Sequence, residues 1–268
     1  MPDKSVREMN IFERQHYSLG GRVTRATIFV SAILGFVTLL LGLSLYTRTL
    51  SKQYIASAFN LTRSVSRTLD RIVDVRDFSE EILETYRSLS DEERQAVGTE
   101  EYRAHFAAFE KSEVYRLSME VLHDFLDTSE VSALYLGTYD LESGALIYIS
   151  DPEDNEAARL HPGDWESAKR DEITDFLSWD GEGMLYAIGK TENYGWLCTT
   201  ATPLRNSDGE VVAFVLADIS LADIREGIKS FTFQYLAAIL LITILLALFM
   251  GRQMRRTVVE PIDRIAEA

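Results

Sequence analysis

The chain has 268 residues, 46% hydrophobic and 26% charged, with 42 Asp and Glu against 27 Lys and Arg for a net charge of −15. Such an acidic balance repels phosphate backbones and excludes nucleic acid as a partner. A single cysteine, Cys198, excludes an intrachain disulfide, so a folded domain here must rest on its own apolar core.

The charge is unevenly placed. Residues Arg48–Lys229 carry 18 basic and 36 acidic side chains, whereas the arm Met1–Arg25 and the tail Arg252–Ala268 are slightly basic. Two stretches bracket the acidic middle, Ala26–Tyr46 and Phe231–Met250, and neither contains Asp, Glu, Lys, Arg or His. A helix rises about 1.5 Å per residue, so each covers the ~30 Å hydrocarbon core of a bilayer. The first is longer than a signal-peptide core and has no small-residue cleavage site behind it, so it reads as a retained anchor. Arg14, Arg22 and Arg25 before the first span, with Arg252, Arg255 and Arg256 after the second, favour both termini in the cytoplasm and the acidic domain outside. The chain therefore divides into an arm (1–25), a first span (26–47), an extracytoplasmic domain (48–229), a second span (230–250) and a tail (251–268) of a two-pass cell-membrane protein. Spans without ionisable groups argue against a channel or pump.

In chain order, the first predicted element is one long helix from the first span to about Ser88, uninterrupted by Pro or Gly after Gly42. Ile55, Ala58, Thr62, Val65, Leu69 and Ile72 recur at steps of three and four. This seam has two readings, a parallel dimer contact or a stripe packed on the domain's own sheet. Ser90 and Glu93 form a capping-box pattern opening a brief helix, and Thr99 caps another, predicted over Glu100 to about Asp127. Strands follow at Ala133–Asp140 and Ala145–Ser150 around a Gly144 turn. A polar loop, Asp151–Asp164, leads to a helix predicted over Trp165–Ser178. Three strands come next, Gly183–Lys190, Gly195–Arg205 and Glu210–Ser220, the last two joined by Asn206-Ser207-Asp208-Gly209. A short exit helix enters the second span. The class is α+β: two transmembrane helices flank a domain with a long N-terminal helix packed on a five-stranded antiparallel sheet. Apolar residues on both strand faces require cover on both, and the Asp151–Ser178 segment is expected to roof the second face and leave a pocket.

This order, with the stretch Val212–Ile224 (VAFVLADISLADI), resembles the Cache family of extracytoplasmic sensors, whose PAS-like sheet lies behind a long helix. The length matches a single Cache unit. The segment Arg256–Ala266, with Pro261 and the apolar spacing of Val258, Ile262 and Ile265, is similar to the start of a HAMP linker. The two resemblances imply a signal-transduction receptor of bacterial type, a homodimer through its HAMP element, and a fragment of a longer chain whose output module follows.

Asp218 is the leading site candidate, a carboxylate ending an apolar strand, where an unpaired charge is costly. The resemblance implies that it holds a ligand's amine; the alternative is a helix cap or loop contact. Tyr139, Tyr148, Trp165, Tyr186 and Thr200 are candidate pocket walls, offering rings with polar tips. Amino-acid-binding Cache domains carry an Arg before a Trp-Tyr pair, where this chain has Asp164-Trp165-Glu166, so an amine or neutral solute is expected instead. The acidic loop Asp151–Glu156 lacks the Gly and Glu of an EF-hand, and the four histidines are scattered, so no metal and no cofactor is expected. No Gly-x-Ser-x-Gly, Walker loop or HExxH is present, so no enzymatic activity is expected of these residues. A structural or protein-interaction ectodomain without a small ligand is the alternative function.

Overall fold

The computed structural model describes residues 19–191, 195–254 and 256. The arm before residue 19, and all of the HAMP-like segment except Arg256, lie outside the described residues. The chain divides into two compact units, residues 50–224, and residues 1–49 with 225–268.

The second of these units carries the apolar helices, parts of α1 (Leu19–Ile72) and of the chain's last helix, Leu221–Met254. Phe29 and Phe233 are 67% and 75% exposed, an arrangement that is stable only where the surroundings are themselves apolar. The two helices support a two-pass membrane topology. They meet closely at Gly35, where an added Cβ would lie 2.9 Å from Ile239 Cγ2, and the rings of Tyr46 and Phe231 stack at 4.2 Å.

In the folded domain the long helix is cut. α1 ends at Ile72 and α2 (Arg76–Ser88) begins after three non-helical residues. Asp74 sits in the break and its carboxylate accepts the Arg76 N–H at 3.1 Å. An Asp that captures local backbone donors competes with the helix, which needs neither Pro nor Gly to stop it. The α1 seam is buried from Ile55 to Leu69, with Ala58, Thr62, Val65 and Leu69 at most 1% exposed, while Ile72 at its end is 52% exposed. Thr62 shares a 2.8 Å hydroxyl hydrogen bond with Thr202 on the sheet. From Ile55 to Leu69 the stripe packs on the domain's own sheet, so these five residues are core rather than a dimer contact.

α3 (Asp91–Gln95) carries the full capping box of Ser90 and Glu93, and α4 (Glu100–Ala104) is capped by Thr99. The helix predicted over 100–127 is also interrupted. Ser112 caps a new start, accepting the Tyr115 N–H, so α5 runs Glu113–Asp127.

The sheet has six strands, not five: β1 (Ala133–Asp140), β2 (Ala145–Ser150), β3 (Trp165–Ser167), β4 (Tyr186–Thr191), β5 (Gly195–Arg205) and β6 (Val211–Ser220), in the order β3-β2-β1-β6-β5-β4. Every neighbouring pair is antiparallel. The extra strand replaces the first turn of the helix predicted from Trp165. Its residues pair with Ala145–Ile147, and α6 spans only Arg170–Leu177. Three residues are too few for a periodicity signal, so tertiary pairing decides. β6 passes into α7 (Leu221–Met254) without an intervening loop.

The loop 151–164 covers the second face only at Leu160, which packs on the cluster of Tyr135, Tyr148 and Leu216; its other anchors lie beside the sheet. Gly163 N–H donates to the Tyr148 carbonyl at 2.8 Å, Tyr148 N–H donates to the Asp164 carbonyl at 2.8 Å, and the Tyr102 hydroxyl donates to the Gly163 carbonyl. His161 lies 2.6 Å from Glu110. The loop is thus bound to α4 and the residues just after it.

Asp140 ends β1 with 1% exposure and joins α2 to the β1–β2 turn. It accepts two hydrogen bonds from Arg87, at 2.9 and 2.7 Å, and two from Ser143, at 3.0 and 2.6 Å. Burial alone would raise this carboxyl, but its partners outweigh burial and hold it below the usual carboxylate range. A depressed acid stabilises the fold above its unfolded pKa, and that contribution disappears as pH falls through the folded value. Asp140→Asn is therefore expected to lose about 2 kcal/mol at pH 7, a figure reduced by the half-exposure of Arg87. In urea titrations the gap from the parent protein should close below about pH 4.

Candidate functional site

Strand parity sorts the sheet into two faces. On β6, Phe214, Leu216 and Asp218 share one face, while Val215, Ala217 and Ile219 share the face under α1. Register carries this sorting across the sheet. Asp218 lies opposite Thr199 on β5 and Ala133 on β1, and Leu216 lies opposite Tyr135. The Asp218 face therefore presents Tyr135 and Tyr139 from β1, Tyr148 from β2, Thr199 from β5 and Ala187 from β4.

A cavity of about 550 Å³ opens on that face. Its wall is completed by Glu166 of β3 and by Lys169 and Glu172 at the start of α6. The roof is therefore the β3–α6 segment. Behind it, Ile173 and Phe176 of α6 are fully buried, and the Tyr139 ring packs edge-on against Phe176 and Phe214.

Each carboxylate in the cavity meets a hydroxyl. Thr199 Oγ1 donates to Asp218 Oδ1 at 2.6 Å, with a further hydrogen bond between Asp218 and Tyr135. The Tyr148 hydroxyl donates to Glu166 Oε1 at 2.8 Å, and Tyr139 hydrogen-bonds Glu172. Burial pushes the Asp218 carboxyl up to about 6; the Thr199 bond opposes this and the charge of Glu166 adds to it. Burial likewise raises Glu172 and the phenols of Tyr135, Tyr139 and Tyr148, so the three tyrosines stay neutral donors. Aromatic faces and unneutralised carboxylates together make a site that attracts positive charge.

Of the residues singled out in the sequence, Asp218, Tyr139 and Tyr148 line this cavity. Trp165, Tyr186 and Thr200 do not. Thr200 is fully buried on the α1 face and lies opposite Tyr186, which faces outward at 46% exposure. Trp165 pairs with Ile147, also on the far face, and its indole N–H donates to the Arg94 carbonyl at 2.8 Å. All three are one residue out of phase with the cavity. Tyr135, Thr199, Glu166, Glu172 and Lys169 escaped the sequence reading. Counting alternate positions from Asp218 finds only residues on β6; the others require the register and the unforeseen strand β3.

Cys198, next to Thr199, turns to the α1 face and is 1% exposed. Burial, with the Asp218 charge, pushes its thiol up to about 11.

No family model and no curated protein sequence matches the chain. Among solved structures it is similar to the ligand-binding domain of the Campylobacter jejuni chemoreceptor Tlp3 in complex with L-valine, with 12% identity and a TM-score of 0.30 over 69% of this chain and 66% of that one. It is similar also to the periplasmic sensory domain of the Campylobacter jejuni chemoreceptor Tlp1, with 14% identity and a TM-score of 0.35 over 66% of this chain and 58% of that one. The chain spans under two thirds of the length of either. At these scores the likeness carries no argument about fold, ligand or mechanism.

Proposed function

We propose that this chain is the sensing and membrane-spanning part of a two-pass, homodimeric signal receptor, and that its extracytoplasmic domain is a single Cache-like unit that binds a small amine at Asp218 without chemical turnover. The observation that carries this reading is the cavity itself, a tyrosine-walled space with a half-buried carboxylate and no basic side chain within 4.0 Å of it among the described residues. A purely structural or protein-binding ectodomain would fill such a space with side chains. The apolar stretches belong to helices that continue the domain's own elements, α1 through its buried seam and α7 directly from β6. Ligand-driven movement of Asp218 on β6 then has a short covalent route to the second span, and from there to the HAMP-like segment and an output module. To convert a 1:99 equilibrium into 99:1, the ligand must prefer the signalling state by ~5.5 kcal/mol. Charge-assisted hydrogen bonds in a partly desolvated site have the required scale.

The test is calorimetry on the full chain in lipid nanodiscs at pH 7.5, with primary alkylamines, alcohols and carboxylates of matched size. Amines are expected to bind and the others not, and Asp218→Ala is expected to remove the heat of binding while circular dichroism stays unchanged. Preference for carboxylates, or amine binding that is indifferent to Asp218→Ala, overturns the reading.

A further inference from the structure

The charge around the cavity exceeds what one ammonium group neutralises. Three carboxylates on three elements face it, Asp218 of β6, Glu166 of β3 and Glu172 of α6. Among the described residues, none of them has a Lys, Arg or His nitrogen within 4.0 Å. Their hydrogen-bond partners within the cavity are hydroxyls, which share a proton but bring no positive charge.

Two lysines border the space, and they differ. Lys190 also lines the cavity, but it lies opposite Trp196 in the β4–β5 register, so its side chain leaves the strand on the face that holds Tyr186 and Ile188, away from Asp218. Lys169 precedes α6 and its charge acts on Glu172. Counting the facing groups, three negative charges meet one positive, leaving an excess of two at neutral pH. The charges are also spread. Asp218 rises from the sheet, Glu166 is exposed on the edge strand, and Glu172 is half-buried on the helix above. Between them lie the rings of Tyr135, Tyr139 and Tyr148 and the side chains of Leu146 and Leu197, a surface suited to methylene groups.

We infer that the ligand is a small α,ω-diamine. One ammonium sits on Asp218 beside Thr199, the chain of methylenes runs over the tyrosines, and the second ammonium sits between Glu166 and Glu172. This rests on the amine reading of the cavity and adds a second charge to it. A second ion pair near the mouth is screened but real, and an alkyl chain with one charge leaves one negative charge shared by the two glutamates and Lys169 without a partner.

The test compares α,ω-diamines of three to six carbons with the n-alkylamines of equal length, by calorimetry on the full chain in nanodiscs at pH 7.5 and 0.15 M salt. The best diamine is expected to bind at least about tenfold more tightly than its matched monoamine. In the Glu166→Gln/Glu172→Gln double variant, the diamine is expected to fall to the affinity of the monoamine, while the monoamine keeps its own. Diamine and monoamine affinities within about threefold of each other overturn the two-charge inference and leave the amine reading standing. Absence of binding by both series overturns the amine reading and the inference with it. If the double variant fails to fold, the paired affinities in the parent protein decide alone.

Discussion

Asp218→Asn is expected to make the unliganded protein more stable while abolishing its response to amines. The Asp218 carboxyl is pushed up from its ordinary value to about 6, chiefly by burial. The folded state thus holds this proton more tightly than the unfolded chain does. The stability contributed by this group is present in full below about pH 4 and is lost as pH rises through about 6, the opposite of the Asp140 contribution. At pH 7.5 the ionised carboxylate costs on the order of 2–3 kcal/mol. An amide keeps an acceptor for Thr199 and carries no charge. Asp218→Asn should therefore raise Tm by about 5 °C at pH 7.5 and by little at pH 4.5, in thermal unfolding of the nanodisc-embedded chain. The same change removes the charge-assisted contact, and amine affinity should fall about 10- to 100-fold. A lower Tm at pH 7.5 would mean that Asp218 is structural and already neutralised. Residues that destabilise the empty state and recover on binding are expected where a site is kept ready for a charged ligand.

Gly163→Ala should be the most damaging single-methyl change in the domain. Gly163 has φ +86, a backbone region in which a Cβ clashes with its own chain, at a cost of about 1–2 kcal/mol. A Cβ would also fall 2.4 to 2.5 Å from three atoms of the Phe106 ring. Phe106 is 1% exposed and packed between Tyr102 and Phe109, so it has nowhere to retreat. Overpacking adds about 1–3 kcal/mol, for a total near 4 kcal/mol in chemical denaturation. The damage should reach the site, because Gly163 and Asp164 hold the backbone of Tyr148 on both sides. Gly144→Ala is the control: it shares a positive φ of +69, but its added Cβ comes no closer than 3.7 Å to the Ala168 carbonyl, so only the backbone cost remains.

What could be read from the residues alone follows the length of the signal. The two apolar stretches, the Ser90–Glu93 box, the strands Ala133–Asp140 and Ala145–Ser150, and the Asn206–Gly209 turn each carry a complete local pattern, and each is formed. The misses have short or tertiary causes. Asp74 stops a helix by one side-chain hydrogen bond, and β3 exists only because Ala145–Ile147 offers an edge. The site was half legible for the same reason. Asp218 announced itself as a charge at the end of an apolar strand. Thr199, not its neighbour Thr200, faces the cavity, because the face of β5 is fixed by pairing with β6 and by nothing in β5 itself.

The burial of Cys198 has a practical corollary. A thiol with its pKa near 11 is ionised in only about one molecule in ten thousand at pH 7, and only the thiolate reacts. With 1% exposure it is shielded from maleimides and methanethiosulfonates as well. The chain is thus already a cysteine-silent background for labelling. A fluorophore or spin probe attached through a cysteine introduced on the mouth of the cavity, or on either apolar helix, would report from that position alone.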